Sequence, residues 1–102
     1  MSDWYLYIIR CSDCSLYTGI TTNVERRLEE HRRGGSRGAG YMRGRVPVEV
    51  VYSQLLPDRA SASRAEYAVK QLPKTRKESL AAGHVTLDQI VKYIEKTMEM
   101  YR

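Results

Sequence analysis

Tyr7, Tyr17, Arg27 and His31 follow one another at intervals of ten, ten and four residues near the start of the chain. Their side chains suit phosphodiester chemistry. A hydroxyl or an imidazole can handle the proton of an attacking water, and a guanidinium can hold phosphate oxygens in a bidentate fork. Each residue also has a plainer use. Tyrosine is favoured in strands, and the chain has eight of them. Arg27 can pair with Glu25 or Glu30, and a histidine on the apolar side of a helix is often a satisfied buried one.

The elements that must position these groups are legible. Trp4 to Arg10 alternates Leu6, Ile8 and Arg10 against Tyr5, Tyr7 and Ile9 and reads as a strand. Ser12-Asp13-Cys14-Ser15 is turn chemistry, and Leu16 to Ile20 makes a second strand, so an antiparallel hairpin brings Tyr7 and Tyr17 onto neighbouring strands. Thr22 with Glu25 three residues on reads as a capping box, opening a helix that runs to about Arg33 and stops at Gly34-Gly35. Val24, Leu28 and His31 form its apolar side, and Arg27 and His31, four apart, share a face. Val46 to Gln54 reads as a third strand, with Pro47 marking an edge or a start. Asp58 is an N-cap for a helix from about Arg59 to Leu72 with Ala62, Ala65, Val69 and Leu72 as its buried stripe. Pro73 breaks it, Lys74 to Ala82 adds a turn or two ending at Gly83, and a last helix, about 87–101, carries Leu87, Ile90, Val91, Ile94 and Met98 on one face. The expected fold is α/β of the α+β type: one domain over residues 1–102, a small three-stranded antiparallel sheet flanked by helices.

The chain carries a net charge of +5, and its distribution is one-sided. From Arg32 to Arg45 there are five arginines (Arg32, Arg33, Arg37, Arg43, Arg45), no acid, and five of the seven glycines. A glycine-broken, arginine-loaded loop can mould itself to a phosphate backbone, which points to a nucleic-acid partner. No apolar stretch is long enough to span a membrane, and Met1-Ser2-Asp3-Trp4 has neither the basic nor the apolar region of a signal peptide. Two cysteines are too few for a secreted disulfide framework, so the expected compartment is the cytoplasm. Cys11-x-x-Cys14 lacks two further zinc ligands and sits in a hairpin turn; it is incidental.

The ordered set of motifs resembles the GIY-YIG nuclease family. Tyr5-Leu6-Tyr7 stands at the first triplet, with Tyr5 in place of the glycine, and Tyr17-Thr18-Gly19 stands at the second. The small size, the stretch from Tyr17 to Thr22, and Arg64-Ala65-Glu66-Tyr67 are most similar to the stand-alone, YhbQ-like branch, and the resemblance covers about residues 3–83. It implies a metal-dependent endonuclease hydrolysing DNA phosphodiesters by water attack, in DNA repair or processing. By the same resemblance Arg27 clamps phosphate, Tyr7, Tyr17 and His31 manage protons and water, and Glu66 holds one divalent cation, Mg²⁺ or Mn²⁺. An unperturbed phenol near pKa 10 is a poor base at neutral pH and needs a cation or metal-bound water to help it. Glu66 also has plainer readings, as an i,i+4 partner of Lys70 or a capping-box partner of Ser63. Gly19 is expected in the turn from strand to helix, where its freedom lets backbone approach a ligand. Many members carry a phosphate-contacting Asn after the Glu; this chain has Lys74-Thr75-Arg76-Lys77-Glu78 there, leaving Lys74 or Lys77 as point charges in its stead. The rival reading is a nucleic-acid-binding module with weak or no activity, which needs the arginines and not Glu66. A third is an interaction domain using the last helix as its partner face.

Overall fold

The computed structural model describes residues 3–33 and 45–100. Strands β1 (Trp4–Cys11), β2 (Leu16–Thr21) and β3 (Pro47–Leu56) form an antiparallel sheet in the order β2-β1-β3. Helix α1 (Val24–Arg33) lies between β2 and β3 in the chain, and α2 (Arg59–Lys70), α3 (Lys74–Ala81) and α4 (Leu87–Met100) follow β3. The α+β fold expected from the sequence is the fold found.

The period-two alternation of β1 divides the interior. Leu6 and Ile8 join Leu16 of β2 and Ala65, Ala68, Val69, Leu80, Leu87, Ile90 and Ile94 of the later helices in one buried cluster. Burial of each large aliphatic side chain there contributes about 1.5–3 kcal/mol. Tyr7, Ile9 and Cys11 project to the other face and pack with Tyr17, Val50 and, from α1, Val24 and Leu28. The central strand thus carries the main core on one side and, on the other, Tyr7 with Tyr17 and the α1 residues of the candidate site, while Glu66 comes from α2 on the core side.

Several boundaries differ from the sequence reading, each for a local reason. β3 runs on to Leu56 because Leu55 and Leu56 pair with Tyr5 and Trp4, extending the ladder up to Pro57. Helix α1 is capped by Asn23, whose Oδ1 accepts the Arg26 N–H at 3.0 Å, and not by Thr22, whose Oγ1 instead accepts from the Arg26 guanidinium at 3.2 Å. Asp58 is the α2 cap expected, accepting the Ser61 N–H at 2.7 Å. That helix ends at Lys70 and leaves Leu72 half-buried beyond it. Met98 departs from the apolar face assigned to α4: it is exposed, beside Tyr67, where the groove between α2 and α4 opens. Cys14 takes the left-handed φ of 69° in the hairpin turn, and Cys11 and Cys14 are both free thiols, one buried and one exposed.

Candidate active site

The candidate residues arrive from four elements. Tyr7 lies mid-β1 and is 1% exposed. Its hydroxyl is 3.2 Å from His31 Nε2, and the two rings are 6.3 Å apart between centroids. Tyr17, on β2 opposite Ile9, is half-buried; its ring stands edge-on to His31 at 4.9 Å and 6.3 Å from Tyr7. Arg27 sits one helical turn before His31, with Nη1 3.2 Å from Glu30 Oε1, and its positive charge favours ionisation of the Tyr7 phenol. Glu66, half-buried on α2, is 3.2 Å from Lys70 Nζ, and its charge is felt by the Tyr7 phenol. The Tyr7 hydroxyl is therefore the point on which the other four act.

Electrostatics fix the resting protonation. Burial first, and then the neighbouring Tyr17, push the Tyr7 phenol well above its ordinary pKa; Arg27 opposes without cancelling them. Burial first, and then the Arg27 charge, pull His31 below the usual histidine value, with Glu30 opposing. At neutral pH the pair is a neutral phenol beside a neutral imidazole. His31 Nδ1 is buried with no hydrogen-bond partner among the described residues. Burial works against the Arg27 charge, but the neighbouring Tyr7 oxygen and the Glu30 carboxylate outweigh that and raise its pKa.

Gly19 requires a correction. It lies inside β2, paired with Tyr7, and not in the turn to α1; nor does it adopt the left-handed backbone. What it admits is the Tyr7 ring: a Cβ here would stand 2.5 Å from Tyr7 Oη and 2.7 Å from Cζ. The close approach is by the candidate catalytic phenol and not by a ligand.

Of the basic residues expected on nucleic acid, Arg37 and Arg43 lie outside the described residues. Arg32 donates to the Val48 carbonyl at 3.0 Å, Arg33 is 3.7 Å from Glu29, and Arg45 is 3.0 Å from Asp13. These three reach solvent from the flanks of the segment while holding partners within the protein. Lys74 is 3.9 Å from Glu78, whose carboxylate is taken by a two-pronged bond from Arg10 at 2.7 and 2.8 Å. Lys77 is half-buried and lines a cavity of about 190 Å³ with Leu16, Tyr17, Thr18 and Lys70. Thr18 and Lys70 were not candidates from sequence. The break at Pro73 between α2 and α3 brings Lys70 and Lys77 together, which no spacing rule announces.

One carboxylate is a modest donor set, and it fits a hard cation. Mg²⁺ keeps most of its waters and commonly takes only one or two protein carboxylates beside substrate phosphates. Among the described residues no group of three or more His, Cys, Asp or Glu gathers, so a protein cage for a softer metal is absent there. Nor is any described helix long and apolar enough to cross a membrane.

A three-stranded sheet whose first two strands bring two tyrosines to a helix bearing arginine and histidine defines a class. The GIY-YIG catalytic domain family model matches residues 3–79, and the chain belongs to that family. It is 48% identical over 88 residues to a UPF0213 protein of Cronobacter sakazakii, covering 86% of this chain and 90% of that one. It is 51% identical over 82 residues to the UPF0213 protein YhbQ of Escherichia coli, covering 80% of each. Among solved structures, a UPF0213 protein of Bacillus halodurans is similar at 44% identity and a TM-score of 0.51, over 78% of this chain and 83% of that one. A protein of E. faecalis is similar at 32% identity and a TM-score of 0.55, over 84% and 91%.

Proposed function

We propose that this protein is a divalent-metal-dependent endonuclease that hydrolyses DNA phosphodiester bonds by attack of water, in DNA repair or processing. The observation that carries the reading is the convergence on the Tyr7 hydroxyl of His31, Arg27, Tyr17 and the charge of Glu66. A binding module has no use for a carboxylate beside that cluster, where it would repel phosphate.

The roles follow from burial and charge. Arg27 exchanges its bond to Glu30 for the scissile phosphate and stabilises charge developing on it. Tyr17, the less buried ring, forms the mouth of the cluster and orients the water. The pair behind it moves the proton. A phenol with a strongly raised pKa is no phenolate base, but it can accept the water's proton on oxygen while passing its own to His31 Nε2. No buried phenolate forms, and the imidazole, neutral at rest, ends as the imidazolium. Glu66 would hold the Mg²⁺ or Mn²⁺, which when bound polarises the phosphoryl oxygen or the leaving group.

The test is metal-dependent cleavage over a panel of DNA and RNA structures. Glu66→Gln keeps size and helix and removes the charge; it is expected to abolish cleavage and metal binding while leaving or tightening DNA binding. Tyr7→Phe is expected to lose roughly a hundredfold or more in rate, and Tyr17→Phe less. Wild-type rates in Glu66→Gln, or in both phenylalanine variants, would leave a nucleic-acid-binding fold with an inherited motif.

A further inference from the structure

The cavity beside Tyr17 gathers two lysines and a buried threonine. It is walled by Leu16, Tyr17, Thr18, Lys70 and Lys77, so β2, the end of α2 and the middle of α3 all contribute. Lys77 is half-buried and has no acidic partner among the described residues; the charge that faces it is that of Lys70, another lysine. Burial and this like charge both lower its pKa. Lys70 in turn pairs, among the described residues, with the Glu66 carboxylate at 3.2 Å, which the proposed metal would take over. Thr18 is 4% exposed, and its Oγ1 has no hydrogen-bond partner among the described residues. Leaving a buried hydroxyl unpaired costs about 1–3 kcal/mol, and crowding two ammonium groups adds repulsion. Both costs vanish if an anion with several acceptor oxygens occupies the cavity.

We propose that the Thr18–Lys70–Lys77 cavity is a subsite for a phosphate of the nucleic-acid backbone flanking the scissile one. The assignment rests on the nuclease reading for the polymer that supplies the phosphate, and on the cavity alone for the phosphate chemistry. The tetrahedral group takes the Thr18 hydroxyl as one donor and the two ammonium groups as others, sets the register of the strand against Tyr17, and contributes binding without chemistry. It would also link the subsite to a metal, because a cation held by Glu66 would free Lys70 for the phosphate.

The experiment measures salt-dependent binding of a short DNA duplex and of a single strand to the full chain, with a parallel NMR titration with inorganic phosphate. Lys77→Gln is expected to weaken DNA binding roughly tenfold or more and to flatten the log–log salt slope by about 0.7–0.9 unit, the change for one phosphate no longer neutralised. Lys77→Arg, which keeps the charge, is expected to keep the slope. Thr18→Val preserves shape and removes the unpaired hydroxyl, so it is expected to raise the Tm of the free protein while weakening DNA binding. A slope unchanged in Lys77→Gln, or Thr18→Val binding as tightly as wild type, would overturn the subsite. Inorganic phosphate shifting Thr18 and Lys77 as tightly as DNA does would assign the cavity to a free phosphate compound and overturn the backbone assignment. Cleavage by the wild type is read separately. Its absence with an altered slope removes the nuclease and keeps the subsite; its presence with an unaltered slope does the reverse.

Discussion

Gly19 and Tyr7 are best understood as one unit. They face each other across β1 and β2, and the space a side chain at 19 would need is filled by the phenol ring. Alanine in place of a strand glycine ordinarily gains about 0.5–1 kcal/mol from backbone entropy. Here the Cβ would meet Tyr7 Oη at 2.5 Å, deep in a packed site, and overpacking of that kind costs about 1–3 kcal/mol. Gly19→Ala is therefore expected to lower stability in urea unfolding and to displace the Tyr7 hydroxyl from His31, with loss of activity. The same substitution in a Tyr7→Val background is expected to be neutral or stabilising, and additivity of the two changes would refute the steric account. His31 allows a second expectation, with its sign worked out. Its folded pKa lies below the ordinary 6.5, so as pH falls past that value the unfolded chain takes the proton first. The stability contributed by neutral His31 is thus complete above about 6.5 and is lost as pH falls through the lower folded value. Burial sets this first, then Arg27, which opposes protonation, against Glu30, which favours it, both on the same helix, with the rings of Tyr7 and Tyr17 opposite. The stability gap between wild type and His31→Gln should narrow on acidification, and a gap independent of pH would show that His31 does not titrate differently in the two states.

At the level of elements, what the sequence made legible is what local pattern dictates. Alternation revealed β1 and the Asp58 cap revealed α2, while Pro47, which marked an edge or a start, proves to be both the first residue of β3 and part of an edge strand. Tyr7, Tyr17, Arg27 and His31 were legible by type and spacing, because a hairpin and one helical turn bring them together; Glu66 became a candidate through the family resemblance. What escaped depends on packing between residues distant in the chain. Asn23 and Thr22 are both good caps, and the choice between them follows from which side chain reaches the Arg26 N–H. Nothing in the neighbourhood of Gly19 shows that its partner across the hairpin is Tyr7. The bond between Arg10 and Glu78 spans 68 residues and ties β1 to α3 from the side opposite the site. Its two parallel hydrogen bonds help hold α3, and with it Lys77, against the sheet. The cavity at Thr18 exists only because α2 stops at Lys70, Pro73 intervenes, and α3 sets off again at Lys74.

Among the described residues of the whole molecule the sheet separates a thick half from a thin one, and this asymmetry bears on how the site behaves. Ten buried residues, from Leu6 to Ile94, bind β1 and β2 to α2, α3 and α4. On the other face the cluster's fully buried members among the described residues are Tyr7, Ile9 and Cys11, and α1 adds partly buried Val24 and Leu28. His31 is the one fully buried residue of that helix. A helix of ten residues is marginal by itself in water, so α1 depends on this small apolar interface. Both Arg27 and His31 ride on it, so local opening of α1 would dismantle the candidate site while the scaffold stays folded. Native-state hydrogen exchange is expected to show α1 amides opening at a lower free energy, and with weaker urea dependence, than those of β1 and α4. Leu28→Ala should speed exchange mainly within α1. Leu80→Ala, at a position with 0% exposure, should cost about 2–5 kcal/mol and lower protection throughout the molecule. A DNA phosphate held by Arg27 should raise α1 protection selectively, because it binds the closed form alone. If α1 exchanged with the same free energy and urea dependence as β1, the two halves would be one cooperative unit, and opening of the helix could not gate the site.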